Sequence, residues 1–359
     1  MDNNNNFADY GRDEKQVENG LAPKDREASS NFNAAARRGR NVNWVGVAIM
    51  MILVGAVLAG GAWLSGARGG SLGWDGRPVF FVNPIGSDEA QSVNISPQNI
   101  RELQIISSSA RVTIRTNRNS NDFVIEFVGL PLNYDVAGGR LAVDARPAQV
   151  LTGFNLFGGF GGYAVNVYVP AGLALDVSVR SSSGRVDIRH PSFAMLDVKA
   201  SSGRIELERA EILGDINLTT SSGRISAENV TAQTGRFTSS SGRIEVSDGH
   251  FGNLYVNSSS GRQEIEDSSW NNLTASSSSG RVEIDDARIL SAVGSTSISA
   301  SSGRVSLTVV GRESDFNYSL RSNSGSIRVN GARRDTRNIG NAHDINIRTT
   351  SGSIRLDFD

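Results

Sequence analysis

Arginine recurs at one fixed place along this 359-residue chain: Arg185, Arg204, Arg224, Arg243, Arg262, Arg281 and Arg304 each follow a Ser-Gly pair. A guanidinium presents its donors as a planar fork, which suits carboxylates and phosphate-type oxyanions. Two residues after five of these arginines stands an acid: Asp187, Glu206, Glu245, Glu264 and Glu283. An arginine row beside an acid row is a lattice of ion pairs, and exposed pairs contribute at most about 1 kcal/mol each. The plain role of such a lattice is solvation and register. The sharper role is that repeated forks and serine hydroxyls hold an envelope polysaccharide or another envelope polyanion through many weak contacts. The seven arginines are the candidate binding face.

Little else in the composition offers chemistry. There is no cysteine, which removes disulfides, thiolate zinc sites and cysteine nucleophiles. His190, His250 and His343 lie far apart without a shared motif and read as ordinary surface or loop residues. The acids recur with the repeat instead of gathering apart from it. No nucleophile, general base, metal set or cofactor cradle emerges, so the chain is expected not to be an enzyme and to need no cofactor. Calcium-binding nonapeptide repeats require Asp at fixed places after their glycines, and those are missing. The net charge of −1 gives no reason to expect nucleic acid as a partner. Only Lys15, Lys24 and Lys199 are lysines; all other basic residues are arginines.

The elements that must carry the arginines follow from the glycines at 184, 203, 223, 242, 261, 280, 303, 325 and 352, whose first six spacings are 19, 20, 19, 19, 19 and 23. Five residues before each glycine stands an apolar side chain, from Val179 to Ile347, and three before stands Ser, Ala or Thr. The second residue after is apolar except for Gln263, and the fourth is apolar throughout. Both arms alternate with period two, the signature of strands. Inward positions are odd before the glycine and even after it, so the chain bends there, with glycine expected to supply backbone freedom and the serines to satisfy turn groups. A third apolar column, Phe193, Ile212, Ala232, Phe251, Trp270 and Ile289, stands nine residues after the glycine. Three inward columns per repeat describe an all-β, single-stranded β-solenoid, similar to a parallel β-helix, of about ten coils of 19–27 residues. About ten coils at strand spacing would extend roughly 45 Å.

The rest of the chain supplies context. Residues 1–43 are polar and poor in large apolar side chains, and are expected to be a disordered cytoplasmic tail. The uncharged run 44–64, "WVGVAIMMILVGAVLAGGAWL", has the length of one membrane-spanning helix. Arg37, Arg38 and Arg40 outweigh Arg68 and place the N-terminus inside, leaving the remainder periplasmic or cell-surface. A cleaved signal peptide is the alternative, but leader and apolar core are both too long for one. Residues 65–100 read as a linker and N-terminal cap, and 101–359 as the repeat domain, opening on a degenerate repeat with Ala110 in place of glycine. A β-rich insertion at about 118–175 contains "DFVIEF", a hairpin "LNYDVAGGRLAVDA" turning at Gly-Gly, and "YAVNVYVP".

The blocks "SSSGRVDI", "SSGRIEL" and "SSGSIRL", led in by "VNVYVPAGLALDVSVRSSSGRV", resemble the bacterial putative-adhesin family of β-strand-repeat proteins of unknown function. The resemblance covers roughly Leu103 to Asp359, although many relatives carry Asp where this chain carries Arg after the glycine. It implies a membrane-anchored β-solenoid exposed outside the cytoplasmic membrane, without catalytic residues. The expected function is therefore a surface protein binding envelope polymers or other proteins through its repeated face. The alternative is a structural scaffold that assembles with copies of itself through exposed terminal coils.

Overall fold

The computed structural model describes residues 70–74, 78–82, 91–130, 133–146 and 162–359. The tail 1–43 and the apolar run 44–64 lie outside the described residues, among which no helix is long and apolar enough to cross a membrane. The described chain is all-β, with one short 3-10 turn at Glu313–Asp315. Gly70–Trp74 and Pro78–Val82 form a separate antiparallel pair.

The repeats stack as the alternation requires. Asp176–Ser181 runs parallel to Met195–Ala200 with Val179 opposite Val198, and Val186–Arg189 runs parallel to the next post-glycine strand with Ile188 opposite Leu207. The same register carries Leu218 onto Phe237, Phe237 onto Val256 and Val256 onto Ala275. Every one of these side chains is buried. The third column is also in register, with Phe193 opposite Ile212, Phe251 opposite Trp270 and Trp270 opposite Ile289. The exception, Gln263, stays in the inward column between Ile244 and Val282. Its Nε2 donates to Ser258 Oγ at 3.0 Å and to the Ser276 carbonyl at 2.6 Å.

The glycines form the column expected of them, for a different reason. Residues that need a positive φ include Gly138, Gly139 and Gly172 but none of the motif glycines. A Cβ on Gly203 would lie 1.9 Å from the Gly184 carbonyl oxygen, and one on Gly242 would lie 1.5 Å from that of Gly223. Each corner thus rests its backbone on the previous one so closely that no side chain fits between them. Ala110 heads this column in the degenerate repeat: it is buried, and a Cβ on Gly184 would lie 2.0 Å from its carbonyl oxygen. The residue three before each glycine is small, and in many coils its hydroxyl closes the corner. Ser239 Oγ accepts from Gly242 N–H at 2.8 Å, and Thr220 Oγ1 accepts from Gly223 N–H at 3.0 Å.

The left-handed corner lies elsewhere. Six residues after the glycine, Arg209, Asn229, Asp248, Asp267 and Asp286 all have φ between 48 and 54°. Asn and Asp tolerate this conformation best among non-glycine residues, so the sequence encodes a second corner without any glycine.

At both ends the stacking order departs from chain order. Glu102–Ser107 lies between Arg140–Ala145 and Asp176–Ser181, so the inserted strands form the outer layer and the degenerate repeat lies inside it. The outer layer is covered in turn. Tyr134–Ala137 pairs antiparallel through a two-residue Gly138-Gly139 turn, and Phe123–Val128 with Gln91–Ile95 extends the other strand. At the far end, His343–Thr349 inserts between Ser295–Ala300 and Phe316–Ser322. Thr336–Arg337 then pairs antiparallel with Tyr318 and Ser319, and Glu313 accepts from Tyr318 at 2.9 Å and from Arg334 at 3.0 Å.

Two histidines expected as surface or loop residues are instead buried. His343 donates from Nδ1 to the Ser291 carbonyl at 3.1 Å and accepts at Nε2 from Thr296 at 3.0 Å. Thr296 in turn accepts from Trp270 Nε1 at 3.0 Å. His190 lies between Thr116 Oγ1 at 3.1 Å and the Leu173 carbonyl at 3.3 Å. Both continue the inward alternation of their arms, His343 as the first residue of His343–Thr349 and His190 just past Val186–Arg189, but a histidine there carries no apolar signal. Burial holds both below the ordinary histidine range.

Two outcomes follow from this packing. Gly242→Ala should cost about 3 kcal/mol in urea unfolding of the full chain, through overpacking against a backbone that has nowhere to move, whereas Ala110→Gly should cost no more than about 1 kcal/mol. Equal midpoints for the two would refute the close-approach argument. For the histidines, the unfolded chain protonates first, so stability present above about pH 6.5 declines as pH falls through the depressed folded values. His343→Gln should flatten the urea midpoint between about pH 7 and 5, the window in which an unfolded histidine titrates, and a slope unchanged by it would remove His343 as the cause.

Candidate interaction surface

Because the second and fourth residues after the glycine are buried in every coil except at the half-buried Ile327, the first and third face outward, and the stacked register turns them into two adjacent columns. The first column holds the seven arginines and the third holds the acids. Within a coil, Arg204 meets Glu206 at 3.2 Å, Arg243 meets Glu245 at 3.1 Å, Arg262 meets Glu264 at 2.8 Å and Arg281 meets Glu283 at 3.0 Å. Between coils, Arg224, whose own third position is Ser226, reaches Glu245 at 3.9 Å, and Arg243 reaches Glu264 at 3.9 Å. Glu264, by its hydrogen bond and its charge, holds the Arg262 guanidinium above its ordinary value.

The two ends of the arginine column depart from this pairing. Asp187, the acid two residues after Arg185, is engaged by Arg115 and Arg189 at 3.2 Å each. Arg304 has Ser306 where an acid would stand. Among the described residues neither Arg185 nor Arg304 pairs with a carboxylate. The lattice is therefore neutral along its middle and open at its ends.

Beside it lies an edge of like charge. The fifth position after the glycine stacks Ser247, Glu266 and Asp285 in register, next to the left-handed Asp248, Asp267 and Asp286. Partial burial, followed by the neighbouring Glu264, Asp285, Asp267 and Glu245, raises the Glu266 carboxyl above its usual range. Among the described residues no group of three or more His, Asp or Glu is placed to hold a metal ion.

The strand before the glycine builds a different face, which apolar periodicity does not reveal. Its outward positions include Thr219, Thr238, Asn257, Ser276 and Ser299, stacked in register and uncharged. Asn272 donates to Asn253 at 3.0 Å along the neighbouring column. Arg236 lies 4.2 Å over the ring centre of Tyr255, a cation–π contact. The signal for this face is a recurring Ser, Thr or Asn four residues before the glycine, and it carries no apolar alternation.

Solved structures with a similar fold were found. A putative lipid binding protein from Parabacteroides distasonis is 18% identical, covering 75% of this chain and 96% of that one with a TM-score of 0.46. A putative adhesin from Bacteroides fragilis is 13% identical, covering 75% and 98% with a TM-score of 0.40. A putative cell adhesion protein from Clostridium sporogenes is 10% identical, covering 76% and 99% with a TM-score of 0.23. No curated protein matches the chain. Residues 100–357, which include every glycine of the column, match the Toastrack DUF4097 family model, and the chain belongs to that family.

Proposed function

We propose that this is a membrane-anchored surface protein of adhesin type, held in the cytoplasmic membrane by residues 44–64, whose repeat domain lies outside the cytoplasm and binds envelope polymers or other proteins. The observation that carries the reading is the arginine ladder itself. From Arg185 to Arg304 it occupies seven consecutive coils, spanning about 29 Å at strand spacing. The side chains of Arg204, Arg243, Arg262 and Arg281 remain 40–42% exposed, and each guanidinium carries five N–H donors, more than its carboxylate partners engage. A linear polymer with regularly spaced acceptors would meet many such donors at once, and weak contacts made together give avidity that none has alone. No catalytic step, metal or cofactor enters this reading.

The scaffold alternative needs an open terminal coil that templates another copy. Antiparallel strands lie over the outer layer at the N-terminal end, and at the other end Thr336–Arg337 covers Tyr318 and Ser319 while Val329 bridges to Ala332, which leaves little continuous strand edge to template another copy and favours binding over end-to-end assembly.

Two experiments test the proposal. Full-length protein should co-sediment with purified insoluble envelope polymer, and the triple variant R243S/R262S/R281S should retain at most about a tenth of that binding, because three charge-assisted donors are removed from a multivalent face. Retention equal to the parent would remove the ladder as the binding surface. Reporter fusions on either side of residues 44–64 should be active in opposite compartments, and a C-terminal reporter active only in the cytoplasm would overturn the location.

A further inference from the structure

The charge lattice does more than end near the C-terminus; it reverses sign. In the middle of the stack, an arginine such as Arg243 has an acid in its own coil, Glu245 at 3.1 Å, and another in the following layer, Glu264 at 3.9 Å. At the C-terminal end both acids are replaced. Arg304 has Ser306 in its own coil, and Ser306 is opposite Arg355 in the next layer, where the pattern calls for a carboxylate. Arg355 is in turn directly opposite Arg328 in the last layer. The arginine column itself gives way to Ser353 and Ser326 beside these residues. Three arginines and three serine hydroxyls thus share one patch of a sheet face. Arg304, Arg355 and Arg328 are all exposed.

Two carboxylates border the patch: Asp357, two residues after Arg355, accepts from its Nε, and Glu283, already paired with Arg281 at 3.0 Å, stands opposite Ser306 in the preceding layer. Among the described residues Arg304 and Arg328 have no acidic partner. Like charges directly opposite on neighbouring strands are destabilising, and at a separation of about 4.8 Å the repulsion between Arg355 and Arg328 is offset on one side alone, by Asp357. The reversal coincides with a change in the repeat itself. "SSGRVEI" in the middle becomes "NSGSIRV" and "TSGSIRL" in the two outermost layers, which the chain visits out of order yet places side by side.

We propose that this patch, Arg304, Arg355 and Arg328 with Ser306, Ser353 and Ser326, binds phosphate groups of a linear phosphodiester polymer. The proposal rests on the reading of the arginine face as the binding surface and narrows it to the end where the guanidinium groups are not already neutralised. A tetrahedral oxyanion accepts from forks on two layers and from a hydroxyl between them, whereas a planar carboxylate is best matched by a single fork. The charge is complementary, and serine fills the positions where another arginine or acid would obstruct a chain lying across the layers.

The test uses the full-length chain in nonionic detergent with poly(glycerol phosphate) as the probe, read by calorimetry. S306E/R355E restores the mid-stack order of acids in the third column, gives Arg304 and Arg328 carboxylate neighbours in exchange for the exposed Arg355–Asp357 pair, and should keep its urea stability within about 1 kcal/mol of the parent. Its affinity for the probe should fall by about tenfold or more, because one phosphate-binding fork is removed and two repelling carboxylates take its place. R304Q, at an exposed side chain without a partner, should weaken binding in the same direction and keeps the test open if the double variant misfolds. R140Q, in the outer layer at the opposite end of the stack and outside the arginine ladder, should change affinity by no more than about twofold, because Arg140 is exposed and already paired with Glu102 at 2.9 Å.

Undiminished binding by S306E/R355E or R304Q, or a loss with R140Q as large as that with R304Q, overturns the site while leaving the broader reading intact. Failure of the parent to bind either the probe or insoluble envelope polymer overturns both. Equal affinity for polygalacturonate, or binding to phosphatidylglycerol vesicles without binding to the free polymer, would refute the assignment to a phosphodiester chain.

Discussion

The fold depends on the approach of one corner backbone to the next. Where Gly203, Gly223, Gly242, Gly261 and Gly280 stack, each carbonyl oxygen occupies the space a Cβ would need, within 2 Å of its ideal position. That contact sets the height of a layer at the corner and leaves the strands on either side free to pair in register at ordinary strand spacing. It also explains the small residue three positions earlier. Ser181, Thr220, Ser239 and Ser277 each accept a hydrogen bond from the glycine N–H, so a donor that points into the tight corner is not left unsatisfied. Ala200 and Ala300 fill the same place by size alone, without a hydroxyl to accept that bond.

Once the corners fix the register, the outward columns follow without further specification, and the three surfaces acquire different characters. The strand after the glycine carries arginine beside acid, which tolerates stacking because a like-charged neighbour above or below is offset by an opposite charge beside it. The edge that follows has no such compensation. Glu266 lies against Asp285 and near Asp267, and its raised carboxyl reflects partial burial together with that crowding. In its middle coils the strand before the glycine avoids the problem by using hydroxyls and amides, which bond from layer to layer as Asn272 does to Asn253, whereas towards its ends it places Arg180 opposite Lys199 and Arg321 opposite Arg348. A solenoid repeats whatever electrostatics one coil contains, so a charge that is harmless once becomes a column.

Much of this is legible in the sequence, and the gaps have physical causes. Alternating apolar residues around "SSGR" specify strands, inward columns and the position of the bend, because burial on one face leaves a period-two trace. The pairing of Arg262 with Glu264 can be read in the same way. The role of the glycines cannot, since a sequence does not distinguish a residue chosen for its φ from one chosen because a neighbour leaves no room. The left-handed corner at Asn229 and Asp248 is hidden because it breaks no apolar pattern. The buried histidines are hidden because their partners, Thr116 and Thr296, are 74 and 47 residues distant in the chain. The order of layers at the two ends is likewise silent in local periodicity, because each strand looks the same whichever neighbour it finds.

That order has a mechanical consequence. In a solenoid wound strictly in sequence, the last coil is held by one interface and can peel away from the chain end inward. Here the C-terminal strand Ile354–Phe358 is inside, between Val305–Val309 and Ile327–Val329. The chain terminus is pinned as well, with Asp359 N–H donating to the Val309 carbonyl at 3.0 Å and its carbonyl accepting from Gly311 at 2.8 Å. The exposed outer layer, Phe316–Val329, is tethered to the stack through both of its own ends and by the Glu313 contacts to Tyr318 and Arg334. The last strand in sequence and the open edge therefore do not coincide. Fraying of Ile354–Phe358 would have to break two ladders at once, and detaching the outer layer would leave it still joined to the stack at both sides.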